Sequence, residues 1–250
     1  MADVFSIEGS GISTALYTFA LSSHFDFIIY DHEEKPLFAV EFDGNQHTID
    51  KQQIERDLKK NKLCEFADFP LLRINSLYLK KYRDLDLLAW IIHTWFYRKD
   101  FYFSMEKGDI PEDAICDPMM VINGPNLFSY WLSKDIRIKI QRTYDAGQCS
   151  AIAPFDWIGV DDENNYRGIA TLRINSQTYI FAATGMKSQL FPIDIEIISE
   201  ILCFEIYKNL EEVLNGTSVG VTYEEIVKKI KTFKQKNHIV SSFHESGFID

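Results

Sequence analysis

Three acidic residues lie close together in two short segments that are rich in β-branched and aromatic residues. Asp26 belongs to HFDFIIYD at 24–31, and Glu41 and Asp43 belong to PLFAVEFD at 36–43. Side chains alternate between the two faces of a strand, so Glu41 and Asp43 share a face. Carboxylates spaced in this way could bind a metal ion or move protons.

The DHEEKP sequence between the two segments holds the charges and the proline expected of a turn, which predicts a β-hairpin. A hairpin that closes symmetrically about residues 33 and 34 gives three pairs: Tyr30 with Leu37, Ile28 with Ala39, and Asp26 with Glu41. Like charges directly opposite each other destabilise a hairpin. A divalent cation such as Mg²⁺ would relieve that repulsion, because it takes carboxylate oxygens, water and substrate phosphate as ligands. The register therefore predicts a metal site.

Polar residues after the second segment could act beside such a metal. His47 follows the turn at 44–46 and could orient water or bind a phosphate. The next helix, predicted at 50–67, has a polar row at i, i+4 and i+7, with Arg56 on the same side: Gln53, Asp57 and Lys60. This row could face the metal and present a cation to a scissile phosphate.

The elements predicted around these residues form a small α/β domain. Apolar spacing predicts helices at 10–22, 50–67 and 76–96 and a third strand at 69–75. Later in the chain we predict strands at 155–161 and 170–184, with a turn at 175–177, and helices at 192–214 and 222–236. The loop-like segment at 106–118 separates the two parts. We expect one domain at 1–100 and a second, α+β domain of unassigned function at 101–250.

The order of strands, acids and helix resembles the core of the PD-(D/E)XK nuclease superfamily. The resemblance rests on HFDFIIYD, PLFAVEFDGNQH and RDLKKNKLCEFADFPLLRI, and it extends over roughly residues 3–80, about a third of the chain. These segments look like a bacterial nuclease-related branch that is similar to the very-short-patch repair endonucleases. The resemblance implies a restriction-endonuclease-like core, a mixed sheet flanked by helices. It also implies hydrolysis of DNA phosphodiester bonds with Mg²⁺ or Mn²⁺, in DNA processing or in defence against foreign DNA.

The resemblance also implies roles for individual residues. Asp26 and Glu41 would be metal ligands, whereas Asp43 stands where the superfamily signature has a lysine. Three explanations are open. Asp43 binds metal or accepts the proton of the attacking water; Lys60 supplies the positive charge that the signature lysine would carry; or the site is catalytically degenerate. The expected site is the metal ligands Asp26, Glu41 and Asp43, the further catalytic residues His47 and Lys60, and the substrate contacts Gln46, Arg56, Lys59 and Arg73.

Composition limits how this chain can meet a nucleic acid. The net charge is −11, which argues against coating DNA or RNA through an overall positive field. Contact with DNA, or with RNA, must be local, and partner subunits or a homo-oligomer could add affinity. No apolar stretch approaches the roughly 20 residues of a membrane span, and no secretory signal is present, so we expect a cytoplasmic protein.

Two other functions fit parts of the pattern. A non-catalytic scaffold or nucleic-acid-binding subunit of a larger complex would follow if Asp43 reflects lost chemistry. Paired carboxylates also serve glycoside hydrolases, but those enzymes spread their acids along a sugar cleft, and this hairpin is too compact. Metal binding would separate the nuclease from the scaffold.

Overall fold

The computed structural model describes most of the chain, in this set of ranges: residues 1–2, 4, 7–42, 51–74, 76–79, 81–82, 85–116, 132–187 and 194–244. The chain divides into two compact units. The first comprises Met1–Lys80 with Ser188–Pro192, and the second comprises Lys81–Lys187 with Ile193–Asp250. The first unit ends at Lys80, before the domain boundary predicted after residue 100. The division into domains at 1–100 and 101–250 stays a prediction. None of the described helices has the length and apolar character that a membrane crossing requires.

The first unit is a three-stranded sheet with helices. Its elements are α1 (Thr14–Ser22), β1 (Phe27–Tyr30), β2 (Pro36–Phe42), α2 (Lys51–Phe66) and β3 (Leu71–Ile74), followed by a 3₁₀ turn at Ser76–Leu79. Strand β2 is central; it pairs antiparallel with β1 and parallel with β3. A parallel pair needs a long crossover, and α2 lies in that connection. The unit is therefore of the α/β class, as predicted.

The core of this unit lies where α1 and α2 meet the sheet. Its fully buried members come from both layers: Ala20 of α1, Ala39 of β2, Leu63 and Cys64 of α2, and Leu71 of β3. Because side chains alternate along a strand, the face that presents Ala39 also presents Glu41, and the face that presents Leu71 also presents Arg73. The same face thus carries the apolar core and the polar site.

The second unit is built on a larger antiparallel sheet. Its elements are β4 (Lys81–Tyr82), β5 (Leu85–Asp86), α3 (Leu87–Glu106), α4 (Lys134–Asp145), β6 (Phe155–Val160), β7 (Asn165–Arg173), β8 (Thr178–Lys187), α5 (Asp194–Leu214), β9 (Val221–Thr222), α6 (Tyr223–Lys236) and β10 (His238–Phe243). The five-stranded sheet has the order β10-β6-β7-β8-β9, and every pair in it is antiparallel. Strands β4 and β5 form a separate small ladder.

Helices cover both faces of the five-stranded sheet. Helix α5 packs closely at Gly168 of β7, where an added Cβ would lie 2.3 Å from Ile198 and 2.9 Å from Leu202. Helix α6 covers the opposite face and buries Ile226 and Ile230 against strand residues that include Trp157. This α/β/α arrangement encloses an apolar core on each side of the sheet.

Several predicted elements differ from the structure. The helix predicted at 76–96 is wrong at both ends: α3 begins at Leu87, because the Asp86 side chain caps it by accepting from Ala89 N at 2.7 Å, and it continues to Glu106. The turn predicted at 175–177 is confirmed: it separates β7 from β8, and Asn175 Oδ1 accepts from Gln177 N and Thr178 N. Helix α4 and strand β10 were not predicted.

The predicted hairpin register is right at its centre and wrong near the turn. Ile28 pairs with Ala39, as predicted, but Tyr30 pairs with Pro36 and not with Leu37. The pairing shifts between Ile29 and Tyr30 because the turn closes between Asp31 and Lys35, where Asp31 N donates to Lys35 O at 3.0 Å. A bulge absorbs the difference and leaves the acidic end of the hairpin in the predicted register.

Candidate active site of the first unit

Glu41 stands near the end of the central strand β2, with only 5% of its surface exposed. Two hydrogen bonds join this end of β2 to Asp26, which lies just before β1. Asp26 N donates to Glu41 Oε1 at 3.3 Å, and Phe42 N donates to Asp26 Oδ2 at 2.9 Å. The two acids are therefore brought together across the hairpin, as predicted, with Asp26 on the exposed side and Glu41 buried.

Lys60 of α2 pairs directly with Glu41. Its Nζ lies 2.6 Å from both carboxylate oxygens, and Lys60 is itself 7% exposed. The pKa of Glu41 is raised, and the main cause is burial; the negative charge of Asp26 also raises it. The hydrogen bond and the charge of Lys60, and the charge of Arg73, lower the pKa and offset part of the rise. The buried carboxylate and the buried ammonium thus compensate each other's charge.

A second ion pair lies next to the first. Arg73 of β3 sits beside Glu41 in the parallel register. Its Nη1 lies 3.3 Å from Asp57 Oδ1, and its Nη2 donates to Asn61 Oδ1 at 3.0 Å. Gln53 Nε2 also donates to Asp57 Oδ1, at 3.2 Å. The polar row predicted on α2 is therefore a bonded network, and its inner members Asp57 and Lys60 face the sheet.

Cys64 lies one turn beyond Lys60 on α2 and is buried beside the same charges. Burial raises its pKa to about 12, which keeps the thiol protonated and unreactive. Sequence reasoning missed Asn61 and Cys64 as members of this site. Their spacing is the signal that could have found them, because each follows a predicted site residue by four positions, Asp57 and Lys60 respectively.

The other predicted site residues are placed differently. Lys59 bonds Glu55, four positions earlier on α2, at 2.8 Å, and its ammonium lies 5.8 Å from the centre of the Phe19 ring. Arg56 is exposed on the same helix. Asp43, Gln46 and His47 lie outside the described residues. Substrate contacts by Arg56, Lys59 and Arg73 stay predictions.

Two described carboxylates are available for a metal ion. Over the ranges that the structure describes, no group of three or more His, Cys, Asp or Glu side chains could hold one. Mg²⁺ is commonly bound through one or two carboxylates, with water and substrate phosphate completing its shell, so Asp26 and Glu41 fit it in ligand type and number. A metal at Glu41 would share the carboxylate with Lys60 or displace its ammonium.

Comparison with known proteins gives one family match, in the N-terminal third of the chain. Residues 1–87 match a family model described as "Protein of unknown function (DUF2726)". The match ends at the first residue of α3 and contains Asp26, Glu41, Lys60 and Arg73. No curated protein and no solved structure matches the chain. The match therefore includes Met1–Lys80 of the unit that holds the candidate site and the first few residues of the second unit.

Proposed function

We propose that the first unit is a metal-dependent nuclease that hydrolyses DNA phosphodiester bonds. The observation that supports this most is the position of Lys60, whose ammonium lies 2.6 Å from both oxygens of the buried Glu41, beside Asp26. Two acids and a lysine are the residue types of the PD-(D/E)XK site. Here the lysine comes from helix α2, whereas the superfamily signature has it at the sequence position of Asp43.

Each described residue has a role in this proposal. Asp26 and Glu41 hold Mg²⁺ or Mn²⁺, together with Asp43 as a third candidate ligand. When bound, the divalent cation supplies Lewis acidity and lowers the pKa of a water. Lys60 steadies negative charge that develops on the phosphate, because it is fixed in a site of low dielectric where a charge acts strongly. Arg73 holds α2 against the sheet through Asp57 and Asn61, and so positions Lys60.

Substrate binding in this proposal is local. A chain with a net charge of −11 has no overall attraction for DNA, so affinity rests on cations near the site and on partner subunits or further copies of the chain. His47 and Gln46 are proposed to position water or substrate. Activity on foreign DNA, or in DNA processing in the cytoplasm, is the biological role that the proposal favours, and RNA is the alternative substrate.

A second candidate is a catalytically degenerate scaffold or nucleic-acid-binding subunit. One specific observation favours it: the ammonium of Lys60 itself neutralises the carboxylate of Glu41, with both partners buried. In that case the pair is structural, and the unit binds no divalent cation. Metal binding therefore separates the two candidates.

The test combines cleavage with metal binding. The full chain is incubated with plasmid and single-stranded DNA in Mg²⁺ or Mn²⁺, with EDTA as one control and the Asp26→Ala, Glu41→Ala double variant as another. Bound Mn²⁺ is measured by electron paramagnetic resonance in the same samples. Cleavage that requires metal and is absent in the double variant supports the nuclease. If the wild-type chain neither binds Mn²⁺ nor cleaves DNA, the nuclease proposal is wrong and the scaffold candidate is favoured.

A further inference from the structure

A groove of about 490 Å³ lies in the second unit, between helix α6 and the face of the five-stranded sheet on which α6 packs. Its floor is apolar and includes Ile169 of β7 and Phe181 of β8. Its wall is one side of α6, which carries Lys228, Lys229 and Lys236. The groove thus places cations beside an aromatic ring and an apolar surface.

The charge of this groove is opposite in sign to that of the chain. Three lysines line it against one carboxylate, that of Glu225, whereas the whole chain has a net charge of −11. Lys229 leans over the floor, with its ammonium 4.6 Å from the centre of the Phe181 ring. This cation–π contact directs the ammonium toward the floor of the groove. A ligand in the groove therefore meets positive charge both at the wall and at the floor.

The sheet face continues past the groove, and there it is exposed. Alternation along β8 places Ala183 and Gly185 on the same face as Phe181, and both residues are exposed. Arg167 of β7 pairs with Gly185 and shares this face with Ile169, two positions later. At the usual rise of an antiparallel strand, the distance from Phe181 to Gly185 is about 14 Å. The floor of the groove is therefore one end of a longer open surface.

The guanidinium of Arg167 lies over Gly185 on this surface. A Cβ added at Gly185 would lie 2.7 Å from Arg167 Nη1 and 3.0 Å from Arg167 Cδ, so a side chain there would displace the guanidinium. Arg167 Nε donates to Asp161 Oδ2 at 2.9 Å, which holds the group at the sheet while 46% of the side chain stays exposed. Aromatic rings and guanidinium planes are the groups on which the bases of single-stranded nucleic acids stack. This surface has one of each, Phe181 and Arg167, beside the lysines of α6.

We propose that this surface binds single-stranded nucleic acid, with phosphates at the lysines of α6 and bases on Phe181 and Arg167. Lys229 exchanges its contact with the ring for a phosphate when a base takes its place, and phosphate contacts release counterions from the strand. A single strand fits better than a duplex, because its unstacked bases can reach the apolar floor. The surface belongs to the second unit, lies beyond the family match, and does not depend on the nuclease proposal for the first unit.

Fluorescence anisotropy on the full chain tests the proposal. The probe is a labelled oligodeoxythymidine of about 15 nucleotides, near the upper end of the site sizes of single-strand-binding folds. Oligouridine of the same length shows whether RNA binds as well, and binding of either single strand supports the proposal. The comparison ligands are the duplex with oligodeoxyadenosine and inorganic polyphosphate. EDTA is present throughout, so neither cleavage nor a metal ion in the first unit affects the result.

The principal variant is Lys228→Glu, Lys229→Glu, which reverses two charges of the groove. Its matched control is Lys231→Glu, Lys234→Glu, which makes the same change of net charge on the same helix, at exposed positions that do not line the groove. The dissociation constant for the single strand should rise at least about tenfold in the first variant, because two phosphate contacts are lost. It should stay within about twofold in the control, since salt screens charges that lie away from the ligand.

Two further variants test the stacking groups. Phe181→Leu keeps an apolar floor without the ring, and Arg167→Gln removes the guanidinium plane at an exposed position, so it decides the question if Phe181→Leu fails to fold. Each should raise the dissociation constant at least about fivefold, the scale of one lost stacking contact. The wild-type chain should bind the single strand saturably, and more tightly than the duplex or polyphosphate at equal phosphate concentration. Equal weakening by the two lysine pairs, equal affinity for the duplex or polyphosphate, or no saturable binding at about 50 mM salt would overturn the proposal.

Discussion

Replacing Lys60 with methionine tests the reasoning about the first unit most sharply. Methionine keeps the length of the side chain but removes the ammonium that lies 2.6 Å from both Glu41 oxygens. Glu41 is then left buried, at 5% exposure, without its charge partner. Removing one partner of a buried ion pair costs about 3–5 kcal/mol, since the remaining charge is uncompensated. We expect the free energy of unfolding to fall by that amount at neutral pH.

The loss should depend on pH, with a definite sign. Burial already raises the pKa of Glu41 above its ordinary value of 4.5, and loss of Lys60 raises it further. An acid with a raised pKa in the folded state contributes stability below its ordinary pKa, and this contribution disappears as the pH rises through the raised pKa. The deficit of Lys60→Met relative to wild type should therefore be larger at about pH 8 than at about pH 5.

Urea denaturation followed by circular dichroism at several pH values gives both quantities. Lys59→Met is the matched control, because Lys59 pairs with Glu55 at a similar distance, 2.8 Å, but on the exposed side of α2. It should change stability little at any pH. Adding Glu41→Leu to Lys60→Met should restore most of the loss, because an apolar pair can replace a buried ion pair. A deficit for Lys60→Met below about 1 kcal/mol that is the same at all pH values would refute the reasoning.

Three further predictions concern the second unit and are measured by thermal and urea unfolding. Glu200→Ala should lower stability by about 3–5 kcal/mol, because the fully buried carboxylate accepts from Ser133 N and balances a guanidinium; an unchanged melting temperature would contradict this. Gly168→Ala should cost about 1–3 kcal/mol, since its Cβ would lie 2.3 Å from Ile198, and shortening that side chain to alanine should relieve part of the clash. Thr222→Ala should cost about 1 kcal/mol by removing the N-cap of α6, and Thr222→Ser should retain it.

The acidic end of the hairpin could be predicted because its determinants are local. Alternation along β2 and a count across the turn were sufficient to place Asp26 beside Glu41. The pairing near the turn could not be predicted in the same way. It depends on the Asp31 side chain, which accepts from Glu33 N and Lys35 N and so sets where the turn closes.

The role of Arg73 depends on contacts that are distant in sequence. Its place beside Glu41 follows from the parallel pairing of β2 with β3, and its partners Asp57 and Asn61 come from the crossover helix. Local spacing predicted the polar row on α2 but not which strand residue would meet it. A residue expected to contact substrate is thus found holding the helix that supplies Lys60.

The elements missed in the second unit also lack a strong local signal. In α4 the residues Ile136, Ile138 and Ile140 recur every second position, a spacing typical of a strand, and the helix is stabilised by its contact with α5. Strand β10 is a short edge strand, and its partner β6 lies far earlier in the chain. Tertiary contacts determine both elements, so sequence periodicity alone could not predict them.

The most direct test of the central claim is the rate of plasmid cleavage at saturating Mn²⁺ for wild type and for Glu41→Gln. Glutamine keeps the size of Glu41 but removes its charge, and Glu65→Gln on the exposed side of α2 is the control. The account predicts metal-dependent cleavage by wild type and by the control, and a rate at least about a hundredfold lower for Glu41→Gln. Equal rates for wild type and Glu41→Gln, or no cleavage by wild type at any Mn²⁺ concentration, would contradict it.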